Sequence, residues 1–309
     1  MTVPVEPEDI IKAAHRISGY VRRTPVIDYE GVTLKLEQLQ HTGSFKARGA
    51  FNRLLSTDVP PAGLVAASGG NHGAAVAFAA RRLGHRAEIF VPRSSPSSKI
   101  ARIRSYGADV IVDGDVYDDA QRACDIRQAE SGALLVHPYD HVDTVAGAGT
   151  VGCELDADAP DLDTVLVAVG GGGLCAGVAA WYAGRIKVVA VEPELVPAMH
   201  TALAAGEATD VTVGPSIAAD SLGAKRIGAV PFAVARAFVH DSVLVTDDDI
   251  RQAQRTFWED LRLMIEPGGA AAYAALMSGA YRPEPGERVA AIVCGANFDL
   301  ATILGPITG

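Results

Sequence analysis

The chain has 309 residues, 49% of them hydrophobic and 21% charged, with a formal net charge of −10. That length can bury two cores, and the composition is that of an ordinary globular enzyme. The acidic balance excludes nucleic acid and anionic membrane as main partners, although a local basic patch can still hold a small anion. No stretch is long and apolar enough to span a bilayer. The opening "MTVPVEPEDIIKAAHRI" reads as an acidic helix without a signal-peptide pattern. Cys124, Cys153, Cys175 and Cys294 form no CxxC pair and show no metal-ligand spacing, which points to reduced thiols in a cytoplasmic protein.

After the N-terminal helix comes "QHTGSFKARGA", residues 40–50, where Lys46 sits among an aromatic residue, small residues and two glycines. Beyond it a rhythm sets in of short apolar run, glycine-containing loop and alanine-rich helix. "GLVAA" leads through "SGGNHG" into "AAVAFAARRLG"; "AEIFVP" leads through "RSSPSS" into "KIARIRSYG", and "ADVIVDG" follows. "HPYDHVDTVAGAGTVGCEL" is expected to cross from a smaller lobe back to a larger one. "DTVLVAV" leads through "GGGG" into "LCAGVAAWYAG", then "KVVAVEPE". "VTDDDIRQAQRTFWEDLRLMIEPGGAAAYAALMSG" reads as two helices, the first capped by Asp247 to Asp249 and the second opened by "EPGG". "RVAAIVCGAN" is a last buried strand and turn. Continuous apolar strands alternating with helices predict an α/β fold of two doubly wound lobes with mostly parallel sheets. The expected division is a large lobe of residues 1–50 and 141–309 and a small mobile lobe of residues 51–140. The strand-to-helix loops should face the cleft between them, because ligands bind beyond the carboxyl ends of strands in open α/β sheets.

Three features of those loops bear on chemistry. Gly170, Gly171, Gly172 and Gly173 stand directly between a strand and a helix, so several backbone N–H groups can converge on a phosphate, favoured further by the helix N-terminus. Gly171, Gly173 and Ala176 also satisfy G-x-G-x-x-A, with Glu192 ending the next strand. A nicotinamide-dependent oxidoreductase is therefore a rival reading. Ser68, Gly69, Gly70, Asn71 and His72 form a second glycine-rich loop, which can hold a carboxylate or simply cap a helix. His72 has no assignable carboxylate or nucleophile partner, and the absence of a G-x-S-x-G elbow disfavours a serine hydrolase. Cys294 follows a buried strand, where a cysteine is commonly a small core residue. Lys46 gains interest from its company: a desolvated lysine becomes nucleophilic, and an amine near a phosphate cradle and an aromatic ring is what covalent attachment of pyridoxal phosphate requires.

"EQLQHTGSFKARGA", "SGGNHG", "VGGGGL", "IEPGGAAAYAAL" and "VCGAN" occur in this order over nearly the whole chain. Together they resemble the serine/threonine dehydratase family, within the tryptophan-synthase-β-like fold of pyridoxal phosphate enzymes; serine racemases are close relatives. The resemblance implies that Lys46 forms the Schiff base with pyridoxal 5'-phosphate and that Phe45 lies beside the cofactor. It also implies that Asn71 bonds the ring hydroxyl, that Gly170 to Gly173 with Leu174 hold the phosphate, and that Cys294 faces the pyridine nitrogen. Ser68, Gly69, Gly70, Asn71 and His72 would bind the substrate carboxylate. The implied reaction is β-elimination from L-threonine or L-serine, giving a 2-oxo acid and ammonia. Racemisation of serine and deamination of 3-hydroxyaspartate are the alternatives within the family.

The sequence departs from the family pattern in places. Serine racemases read S-S-G-N-H where this chain has Ser68-Gly69-Gly70-Asn71, so the serine that would protonate the second face of Cα is replaced by Gly69. Little racemase activity is expected. Many relatives hold a divalent cation through an acid at Glu192 and another six residues on. Here that second position is Ala198, so no tight metal site is expected. "VCGANFDLATILGPITG" leaves no room for the regulatory domain of biosynthetic threonine dehydratases, so feedback by isoleucine is not expected. A homodimer is the expected assembly.

Overall fold

The computed structural model describes residues 3–298. The expectation built on the closing stretch rests on residues 299–309, which lie outside them. The described residues form ten strands: β1 (Val26–Tyr29), β2 (Val32–Lys35), β3 (Leu64–Ala67), β4 (Ala87–Val91), β5 (Asp109–Val112), β6 (Leu134–Leu135), β7 (Thr164–Ala168), β8 (Lys187–Pro193), β9 (Asp241–Val245) and β10 (Val289–Ile292). They form two sheets. The larger runs β1-β2-β10-β7-β8-β9 and the smaller β5-β4-β3-β6. All pairings are parallel except β1 with β2, a hairpin that the sequence reading missed. Every residue of β3, β7 and β10 is buried, which is why these segments read as unbroken apolar runs.

The strands of the smaller sheet all fall between residues 64 and 135. The last two strands after β8 come from distant parts of the chain: β9 joins the outer edge, and β10 inserts between β2 and β7. Because β10 is central, the turn that follows it, with Cys294 and Gly295, emerges in the middle of the larger sheet. The structure refines the cap of helix Asp247–Leu261. Thr246 is the N-cap residue, Asp249 closes a capping box with it, and Asp247 to Asp249 fill the first turn.

Three helices pack in succession against one another: Lys46–Leu55, Val142–Asp158 and Gly173–Tyr182. They pack backbone to backbone. A Cβ on Gly147 would lie 2.6 Å from the Arg48 carbonyl oxygen, and one on Gly177 would lie 2.5 Å from that of Val145. This explains the small residues of "TVAGAGTVG", and it sets where two helix N-termini, at Lys46 and at Gly173, lie relative to each other. Gly177→Ala is expected to cost about 2 kcal/mol or more, because the clashing partners are main-chain atoms that cannot rotate away. Urea unfolding of the variant measures this; a midpoint equal to wild type would show that the helices can separate freely.

Candidate active site

Lys46 is the first residue of its helix. Two neighbouring buried cations in this region are handled in opposite ways. Arg48 is fully buried and bonded to Glu37 (2.7 and 2.8 Å) and to Glu154 (2.8 Å twice). Lys35, also fully buried, donates to Glu154 and to the carbonyl of Thr24. Lys46 has no carboxylate partner among the described residues. Its Nζ donates to the carbonyl oxygen of Pro138 at 2.8 Å and lies 5.1 Å from the centre of the Phe45 ring. Part of the side chain stays accessible, but protein surrounds the amine closely enough to remove most of its hydration. That desolvation lowers its pKa from 10.5 to about 8.

The glycine loop meets Lys46 through the next residue along. Pro138 takes the lysine's hydrogen bond, and Tyr139 packs its ring where a Cβ of Gly171 would fall, 2.2 Å away. Gly170 is closed in by Leu222 and Gly172 by Pro231. Gly172 has φ +93°, so only glycine is free of strain there. The helix begins at Gly173, and the N–H groups of Gly170 to Cys175 have no acceptor among the described residues. Unpaired donors converging at a helix start form a ready anion site.

The remaining motifs close the cleft. Gly70 is the N-cap residue of helix Asn71–Leu83, and its N–H donates to Ser68 Oγ at 3.2 Å. Ser68 to Asn71 are all partly exposed. A Cβ on Gly69 would lie 2.4 Å from Ser95 Oγ, so a hydroxyl from another loop fills the space a side chain there would need. His72 is buried and its Nε2 donates to the Val136 carbonyl at 2.7 Å; burial and then Lys46 lower its pKa to about 3, which keeps it neutral. Cys294 is buried, and burial pushes its thiol pKa far up. Its Sγ donates to the Gly268 carbonyl at 3.5 Å, while its own carbonyl accepts from the Phe45 N–H at 3.1 Å.

Two contributors escaped sequence reasoning. Tyr139 walls the glycine loop, and Glu266, the N-cap position of helix Pro267–Ser278, accepts from Asn71 Nδ2 at 2.6 Å. Tyr139 stands in the segment read as crossing between the lobes and Glu266 in the "EPGG" that opens a helix, and those positions are the signal that could have found them.

Glu192 bears on the rival reading. It is fully buried, and its two oxygens accept from the N–H groups of Met199 (2.8 Å) and His200 (2.7 Å). The carboxylate is thus committed to the start of helix Ala198–Ala205 and not free to hold a ribose hydroxyl. Among the described residues no group of three His, Cys, Asp or Glu side chains could hold a metal ion, and no helix is long and apolar enough to cross a membrane.

A desolvated amine without a counter-charge, a cradle of unpaired N–H groups and a buried, unpartnered Asn71 Oδ1 fit a cofactor that carries an aldehyde, a phosphate and a ring hydroxyl. The site is that of a pyridoxal phosphate enzyme built on two mostly parallel sheets. Residues 17–295 match the family model for pyridoxal-phosphate dependent enzymes, and the chain belongs to that family. It is 37% identical to an L-threonine ammonia-lyase of Thermotoga maritima, covering 96% of this chain and 76% of the relative. It is 39% identical to a phenylserine dehydratase of Ralstonia pickettii, covering 93% and 91%. The solved structure of maize serine racemase superposes with a TM-score of 0.89 at 34% identity, covering 97% of this chain and 96% of that one.

The unpaired state of Lys46 gives a direct measurement. In cofactor-free protein, isotope-labelled dimethylation of the lysines followed by NMR should show one amine titrating with a midpoint near 8, well below the rest. The signal should vanish in Lys46→Arg. A midpoint near 10.5 would mean that the amine is solvated and that its surroundings do not depress it.

Proposed function

We propose that the chain is a pyridoxal phosphate-dependent ammonia-lyase that removes water from a β-hydroxy-α-amino acid, of which L-threonine and L-serine are the leading substrates. The observation that carries this reading is the Lys46 amine, stripped of counter-ions and joined through Pro138 and Tyr139 to the glycine cradle. The relatives named above, a threonine ammonia-lyase and a phenylserine dehydratase, support elimination from a β-hydroxy substrate. Their two substrates differ only beyond Cβ.

Lys46 would hold the cofactor covalently, with Phe45 beside it. The N–H groups of Gly170, Gly171, Gly172, Gly173 and Leu174 would hold its phosphate, Asn71 its ring hydroxyl, and Cys294 would face its pyridine nitrogen. Bound there, pyridoxal phosphate supplies a sink for the electron pair left when the Cα–H bond breaks. Ser68 to His72 would bind the substrate carboxylate. His72 would take part through its backbone, since its ring is engaged with Val136. Lys46, released by the substrate amine, would take the Cα proton; a pKa near 8 leaves a usable fraction of free amine at neutral pH. Departure of the β-hydroxyl with a proton then yields an enamine, which after release hydrolyses to the 2-oxo acid and ammonia. The Cys294 thiol, held neutral by burial, would leave the ring nitrogen without the full proton that a carboxylate there would secure, which favours prompt elimination over long-lived carbanion chemistry.

Gly69 offers no acid for the opposite face of Cα, which supports elimination over racemisation. Ser95 Oγ beside Gly69 is a hydroxyl that favours the second reading, serine racemase. We read residues 51–140 as a small lobe that moves against residues 1–50 and 141–309. We read the assembly as a homodimer in the cytoplasm, consistent with four cysteines that are all free.

Lys46→Arg should fold yet lower ammonia release by about 10³-fold or more, and borohydride reduction of wild type followed by peptide mass spectrometry should find the cofactor on Lys46. Wild-type turnover in the variant, or a cofactor attached elsewhere, would overturn the assignment. A panel of L-serine, L-threonine, phenylserine and 3-hydroxyaspartate should release ammonia without comparable formation of D-amino acid. D-serine formed as fast as pyruvate would favour the racemase reading. Cys294→Asp should slow elimination relative to racemisation or transamination; an unchanged product ratio would remove the thiol from the account.

A further inference from the structure

Glu266 is buried, at 3% exposure, and among the described residues it has no cation that is not shared with another carboxylate. Asn71 approaches it from helix Asn71–Leu83, and Lys99 from helix Ser97–Ser105. That lysine is already paired with Asp220 of helix Ala219–Leu222. Cys294 and Gly295 lie on the fourth side, with Lys46 and Glu37 facing Cys294 from beyond. The carboxylate rests directly on Gly295, where a Cβ would come within 2.0 Å of Oε1, and the Glu266 N–H donates to the Gly295 carbonyl at 3.2 Å. A carboxyl group clamped in this way has little rotational freedom. Its side chain accepts from Asn71, 195 residues away in sequence, and from the backbone N–H of Asn297.

Asn71 has two ends. Nδ2 donates to Glu266, while Oδ1 is buried without a partner. An ionised carboxylate only accepts, so it must draw the NH2 end and leave the carbonyl end unpaired. A protonated carboxyl can donate to the carbonyl end and release the NH2 end. We propose that Glu266 is a positioning residue whose protonation selects which end of the Asn71 amide is offered to the cofactor's ring oxygen. With Glu266 ionised, the free Oδ1 accepts from a ring hydroxyl. With Glu266 protonated, the free NH2 donates to a lone pair of the ring oxygen. The two states differ by one proton, which Glu266 exchanges with solvent, so pH selects between them. Burial raises the Glu266 pKa to about 7, opposed by the bond from Asn71 and by Lys99, so the two forms exchange in the neutral range.

This rests on the reading that Asn71 contacts the ring hydroxyl, and the resting absorbance of the holoenzyme tests both separately. Wild-type holoenzyme without substrate should change its visible spectrum with a midpoint near pH 7. Glu266→Gln, which can donate to Oδ1 like the protonated acid, should remove that transition and hold the low-pH spectrum up to pH 8.5. Asn71→Ala should alter both the spectrum and its pH response. A Glu266→Gln spectrum that titrates as wild type does, while Asn71→Ala changes it, overturns the role of Glu266 and leaves the Asn71 contact standing. An Asn71→Ala spectrum identical to wild type overturns the contact and the inference with it. If Glu266→Gln does not fold, a wild-type spectrum flat between pH 5.5 and 8.5 is sufficient to overturn the proposal.

Discussion

The site depends on a charge left without a partner. Within three residues the chain buries a guanidinium and an amine, and treats them in opposite ways. Arg48 is surrounded by Glu37 and Glu154, and removing either would strand a buried charge at a cost of about 3–5 kcal/mol. Lys46 receives one carbonyl and an aromatic ring. The first arrangement secures the fold around the second. The ion network ties the segments at Thr24, Lys35, Glu37 and Glu154 to the Lys46 helix, so the helix that presents the amine cannot drift. A carboxylate beside Lys46 would keep its amine protonated, and the absence of one among the described residues is what lets desolvation lower its pKa.

The framework brings the other groups to this amine by a short route. Helices Lys46–Leu55, Val142–Asp158 and Gly173–Tyr182 approach at backbone distance through glycines, so two helix starts face one cleft. One supplies the lysine, and the other supplies unpaired N–H groups. The loop at residues 137–140 sits between them, giving a carbonyl to one and a ring to the other. From the opposite side, β10 delivers Cys294 and Gly295 through the middle of the large sheet, and helix Pro267–Ser278 delivers Glu266 against Asn71. Sequence position has little to do with who meets whom: Lys46 bonds a residue 92 positions away.

Legibility followed the range of the interaction. The strands buried on both faces announced themselves because burial demands continuous apolar runs. The glycine loop was visible because φ +93° at Gly172 and the close approach of Tyr139 exclude side chains. The β1–β2 hairpin was missed: its four-residue strands are largely half-exposed and leave no apolar run to read. His72 had no assignable catalytic partner in the sequence, and its bond to Val136 gives the ring a plain structural task. Glu192 matched a ribose-binding position by spacing, yet in three dimensions it caps a helix.

By itself the sequence determined the fold class, the strand-to-helix loops and the presence of a lysine and a glycine loop that opens a helix, because each is dictated by local backbone geometry or by burial along a few consecutive residues. Only the tertiary structure decided which carbonyl holds Lys46, why the amine lacks a counter-charge, and that a buried glutamate grips Asn71. Those are facts about desolvation and contact between segments far apart in the chain, and no local pattern encodes them.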